Sequence, residues 1–133
     1  MKFESIEDLL EFKGSKEFLR VEADNVVLSL TNDGTGQIRA YFSDKIAWRL
    51  NDSRKNYPEK IKSVFDERGF LYFVADDNGN KVTKSKGHYM VSFSSKPLAE
   101  ELLNKGWMRS TYPIRERIAG AYNIDIKEGK EKK

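Results

Sequence analysis

Gln37-Ile38-Arg39-Ala40-Tyr41-Phe42-Ser43-Asp44-Lys45 reads as a strand that runs straight into a helix cap, and its ending returns 51 positions later as Phe93-Ser94-Ser95-Lys96. Gly69, in a tight turn, returns at the same offset as Gly120. Each Phe-Ser-x-Lys closes a strand and opens a helix, because serine caps a first helical turn with its hydroxyl. Tyr-Pro follows each helix, as Tyr57-Pro58 and Tyr112-Pro113, and then a hairpin-like stretch. The order strand, turn, strand, helix, strand, turn, strand occurs twice. Two readings stay open: a duplicated unit, or an ordinary α+β chain with hairpins and helices at similar spacing.

Working outward, the first copy begins with Asn25-Val26-Val27-Leu28-Ser29-Leu30, an alternating strand, preceded by a second alternating segment, Phe18 to Ala23. Asn32-Asp33-Gly34 supplies turn chemistry. In the helix after Ser43, Ile46, Ala47 and Leu50 share one face. Asp66-Glu67-Arg68-Gly69 joins two strands, and the second, Phe70-Leu71-Tyr72-Phe73-Val74-Ala75, is apolar throughout, the mark of a strand covered on both faces. Asp76-Asp77-Asn78-Gly79-Asn80 is the clearest turn. In the second copy Ser94 or Ser95 caps, Pro97 falls in the first turn, Leu98, Leu102 and Leu103 form the apolar face, and Gly106 ends the helix. Ile114 to Ile118 and Ala121 to Ile126 form the last hairpin.

The expected fold is α+β: a mainly antiparallel β-barrel or sheet with two short helices, built from a ββαββ pseudo-repeat, plus an N-terminal helix over about 5–13. That helix is signalled by Ser5 as cap and by Ile6, Leu9 and Leu10 on one side. One domain is expected over 1–126, with pseudo-repeats at about 25–75 and 70–126, and a disordered charged tail at 127–133. The length of 133 residues fits one domain. With 8 Phe, 6 Tyr and 2 Trp, the chain has the means for a real core, and the aromatic share favours sheet.

There is no cysteine, so disulfides, thiol nucleophiles and cysteine metal sites are excluded. No apolar run approaches a membrane span, and the start of the chain leads into an acidic amphipathic stretch rather than a signal core. A cytoplasmic protein is expected. His88 is the lone histidine, and no serine has nucleophile-elbow glycines around it. Carboxylate pairs sit in turns or on a helix face. Neither a catalytic site, a metal nor a cofactor is expected.

Net charge is +3, unevenly spread. Residues 1–35 carry −4, 36–62 carry +4, 63–80 carry −3 and 81–117 carry +5. Basic residues interleaved with aromatics form the one constellation with a chemical reading: Arg39 and Tyr41; Lys81, Lys84, Lys86 and Tyr89; Arg109, Arg115 and Arg117. Cations contact phosphates and tyrosines stack on bases. The alternative reading is that lysines keep half-buried strands soluble.

The unit from Gly36 to Lys45, followed by a helix and a hairpin, resembles the swapped-hairpin fold of AbrB-type transition-state regulators and antitoxins, as a diverged tandem repeat over about 25–126. The same strand, Phe-Ser-x-Lys and helix pattern is similar to that of small bacterial and phage proteins. In that family two hairpin-flanked helices interlock, usually as a homodimer, and basic residues on one face grip DNA. A tandem copy implies the same arrangement within one chain. After the helices stand Asn51-Asp52-Ser53 and Asn104-Lys105-Gly106-Trp107, where the family carries Leu-Gly-Ile-Lys-x-Gly-Asp. The expected function is a small nucleic-acid-binding or regulatory protein that uses a basic β-face. The alternative is a phage or mobile-element structural or interaction protein, working through its N-terminal helix and aromatics such as Trp107. Expected partners are nucleic acid, another protein or a second copy.

Overall fold

The computed structural model describes residues 19–31, 36–50, 57–66, 68–85, 87–117 and 121–132, side chains excepted at 19–24, 48, 49, 85 and 117. In chain order these form β1 (Leu19–Leu30), β2 (Gln37–Phe42), α1 (Asp44–Leu50), β3 (Lys60–Phe65), β4 (Phe70–Ala75), β5 (Asn80–Ser85), β6 (His88–Ser94), α2 (Lys96–Lys105), β7 (Arg109–Arg117), β8 (Ala121–Asp125), a 3-10 turn (Ile126–Glu128) and β9 (Lys130–Glu131). The helix expected over 5–13 lies outside the described residues.

The strands pair β1-β2-β6-β5-β3-β4-β8-β7, and β7 pairs back onto β1. Every pairing is antiparallel. Eight strands therefore close into a barrel, a size whose interior side chains can just fill. Closure removes sheet edges that would otherwise template aggregation. Strands 25–30 and 18–23 of the sequence reading are one long strand, β1, whose register against β7 shifts between Arg20 and Asn25. Pro113 stands at that irregularity, opposite Asn25. A proline cannot donate to a ladder and is tolerated at such a break. Tyr112-Pro113 thus lies inside β7, not ahead of it. The charged segment after 126, expected as a disordered tail, carries the 3-10 turn and β9, which pairs with β7 at Ser110 and Thr111.

The registers recur at two near-equal offsets, 51 and 54. Ala40 faces Val91 and Tyr72 faces Asn123, each pair 51 positions apart. Adding 51 to Val64 and Tyr72 of β3–β4 gives Arg115 and Asn123, which are paired in β7–β8. Between β1 and β5 the same correspondence holds with an offset of 54: Val82 faces Val91 as Leu28 faces Ala40.

The barrel interior takes alternate residues of each strand: Val26 and Leu28, Ile38 and Phe42, Leu71 and Phe73, Val91 and Phe93, Tyr112 and Ile114, Tyr122 and Ile124, all buried. Phe73 is the centre of this packing. Phe42 meets it edge-on at 4.9 Å and Phe93 at 6.5 Å between ring centres. The phenylalanines of both Phe-Ser-x-Lys copies thus converge on one ring, in the edge-to-face geometry aromatic quadrupoles favour. The helices add Ile46, Ala47 and Leu50, and Leu98, Ala99 and Leu102, to the same core. Ser95 is the cap of α2, and Gly106 ends it at φ 72°. Leu103, expected on the buried face, is 58% exposed. In β4 both faces are covered, because Tyr72 and Val74 are buried as well as Leu71 and Phe73. Burial, followed by Asp66, pushes the Tyr72 hydroxyl pKa up, and burial does the same to Tyr112. Among the described residues no helix is long and apolar enough to cross a membrane.

The seam between β3 and β5 is short, with Lys60 facing Lys81 and Ile61 facing Asn80. It needs Gly79: a Cβ there would stand 2.4 Å from the Ile61 carbonyl carbon. Gly79→Ala must push β3 from β5 and is expected to cost about 1–3 kcal/mol, the usual range for forced overpacking. Gly87, at φ 74° with open space around it, is the control; there alanine is expected to cost only the left-handed backbone term of about 1–2 kcal/mol. Urea unfolding of both variants measures the difference, together with loss of amide protection confined to the β3–β5 seam in Gly79→Ala.

Candidate nucleic-acid interface

Because side chains alternate along a strand, residues between the buried positions point away from the barrel. On β2 these are Gln37, Arg39 and Tyr41; on β1, Asn25, Val27 and Ser29; on β7, Arg109, Thr111 and Pro113. The registers then align them across the strands. Arg109 faces Ser29, Ser29 faces Arg39, and Arg39 faces Ser92. On β5, Lys81 precedes Val82, the partner of Val91, and Lys81 itself faces Lys60. A transverse row results, Arg109–Ser29–Arg39–Ser92–Lys81–Lys60, in which all four cations are exposed.

Arg39 lies two strands from Arg109 and two from Lys81, roughly 10 Å each way at about 4.8 Å per strand. Two unit charges that far apart in water repel by only about 0.4 kcal/mol. Those two spacings cost the fold little, and small serines leave the long side chains room to extend, while Lys60, directly opposite Lys81, repels it more closely. Among the described residues no ion pair engages Arg39, Lys60, Lys81 or Arg109; the ion pairs there are Arg68–Asp66 and Arg115–Glu128.

The nine residues singled out from the sequence do not form one cluster. Arg39, Lys81 and Arg109 belong to the row. Tyr41 is half-buried two residues along β2 from Arg39, its ring edge-on to His88 at 5.1 Å. Lys84 shares the inward parity of Val82 and reaches over the barrel rim, its Nζ 6.0 Å from the centre of the Tyr89 ring. Tyr89 is buried, packed on Tyr57 at 4.5 Å, so its ring is not free to stack on a base. Arg115 is half-buried and bonded to Glu128 at 2.8 Å. Arg117 ends β7 opposite Ala121. Lys86 lies outside the described residues.

Lys60 and Lys132 were not singled out from the sequence. Lys60 is visible only through its pairing with Lys81. The main-chain amide of Lys132 donates to the Arg109 carbonyl at 3.0 Å, setting a further lysine beside Arg109. Among the described residues no three His, Cys, Asp or Glu gather as a metal site would require. No family model matches the chain, and neither a curated protein nor a solved structure does.

The separation of the two tyrosines is measurable. Tyr89→Ala is expected to cost about 3–5 kcal/mol, as for a large aromatic removed from a core. Urea unfolding checks it. A loss under about 1 kcal/mol, well below that range, would mean that the Tyr89 ring is not part of the packed interior.

Proposed function

We propose that the protein is a non-catalytic nucleic-acid-binding module, acting in the cytoplasm, that lays a phosphate backbone along Arg109, Arg39, Lys81 and Lys60. The observation that carries this reading is the alignment of four exposed cations across six neighbouring strands with only serine between them. Exposed cations on a rigid sheet, with no ion pair to them among the described residues, suit a linear polyanion, since each phosphate contact releases condensed counterions. The absence of cysteine suits a reducing compartment.

The reading extends to the architecture as a fused pair of ββαββ units related to swapped-hairpin regulators. It is supported by registers that recur at offsets of 51 and 54, and by the interleaving of the two halves around the ring. A second reading, capture of a protein partner by a phage or mobile-element protein, draws on a different surface. Leu103 and Met108 are 58% and 41% exposed, and Leu103 borders a cavity of about 490 Å³ with Leu30 and Ala99. Trp107 belongs to it less, being partly buried against the core.

Fluorescence anisotropy with labelled DNA at two salt concentrations tests the first reading. Wild-type affinity is expected to fall steeply with salt. Arg39→Glu with Lys81→Glu is expected to weaken binding at least tenfold, and the salt slope is expected to drop by about 0.9 for every phosphate the variant no longer neutralises. Equal binding by variant and wild type would overturn the row as the interface.

A further inference from the structure

The recurring registers put the outward basic row, whose residues come from both halves, in correspondence with a second row. Arg39 corresponds to Met90 and Ser92 to Tyr41 at an offset of 51; Ser29 corresponds to Thr83 and Lys81 to Val27 at 54. The basic row therefore has a counterpart that runs Thr111–Val27–Tyr41–Met90–Thr83. The two rows are parallel neighbours on the same outer face, two residues apart along each strand, or about 7 Å. One row is cationic. The other carries an aromatic ring, a valine and a methionine, and no charge.

A cavity of about 240 Å³ opens beside the uncharged row, and of the basic row Arg109 reaches it. Val27 and Tyr41 line it, with Asn25 and His88 beside them and Arg109 and Lys132 at the cationic side. The Tyr41 ring is fixed by its edge contact with His88. Among the described residues the pocket lining includes no carboxylate. Its chemistry is that of a planar, polar ring bearing an anion: an aromatic platform, an amide and an imidazole for polar edges, and two cations for a phosphate.

We propose that this cavity holds an unstacked base of a single-stranded nucleic acid, with Tyr41 as its stacking platform and Arg109 and Lys132 on the adjoining phosphate. The proposal rests on the nucleic-acid reading above and narrows it to single strands. A duplex keeps its base faces stacked inside, so it engages the basic row through its phosphates without filling the cavity. Stacking on an aromatic side chain is tolerant of sequence, so little base preference is expected.

His88 is the lone histidine, so its imidazole Cε1 proton gives one NMR signal at the cavity. That signal is expected to move with oligothymidylate and stay still with inorganic phosphate at the same ionic strength. In anisotropy, Tyr41→Ala is expected to lose about tenfold or more affinity for oligothymidylate and to keep duplex affinity, in line with the value of one stacked base. Tyr41→Phe keeps the ring and is expected to bind both like wild type, which covers any loss of folding in the alanine variant. Wild-type binding with Tyr41→Ala unchanged for both strands, or reduced equally for both, overturns the base site and leaves the basic row standing. A His88 shift with phosphate alone reduces the cavity to an anion site and also overturns it. No binding of either nucleic acid by wild type overturns both readings together.

Discussion

The antiparallel pairing of β2 with β6, centred on Ala40 opposite Val91, is the constraint on which the rest of the molecule depends. Through it the first and second halves of the chain share one sheet. Its partner across the barrel is the β4–β8 pairing, centred on Tyr72 opposite Asn123. With both in place, β1 meets β7 and β3 meets β5, and the barrel closes. The same register points Phe42 and Phe93 inward onto Phe73. A slip of β2 by one residue would turn Phe42 to solvent and Arg39 into the core. Burying several aromatic side chains is worth a few kcal/mol each, so the hydrophobic interior fixes the register far more firmly than any surface charge does.

The candidate interface follows from that register at small cost. The cations of the row stand on different strands, far apart in sequence, and are brought into line only by pairing. Their mutual repulsion at such spacing is a fraction of a kcal/mol and is further screened over a Debye length of about 8 Å at physiological salt. Next to the row, the corresponding positions of the other half carry apolar and aromatic side chains. The two rows, side by side, differ in chemistry: one is cationic, and the other is apolar and aromatic.

Much of the fold was legible because its signals are local. Ser43 and Ser95 next to an apolar helical period, Gly106 in the left-handed region, and the apolar run of β4 each report through neighbours in sequence. The barrel's closure was not legible, since Pro113 reads as a turn residue until its place beside the β1 irregularity is known. The candidate site was legible only in part for the same reason. Arg39, Lys81 and Arg109 carry the charge that draws notice, but which face they share is a matter of register. Tyr89 alternates onto the inner face, Lys84 follows it to the rim, and Arg115 is taken up by Glu128 across the 3-10 turn. Lys60 has no local signal beyond its charge.

Cross-strand proton–proton NOEs in the isotope-labelled protein test the central claim most directly, because they read the register itself. The account predicts contacts linking the backbones of Arg39 with Ser92, Ala40 with Val91 and Tyr41 with Met90, together with Ser29 to Arg39 and Ser29 to Arg109. Hα–Hα contacts in a register displaced by one residue, or the lack of any contact between β1 and β7, would contradict it, since neither the closed barrel nor the aligned row would then exist.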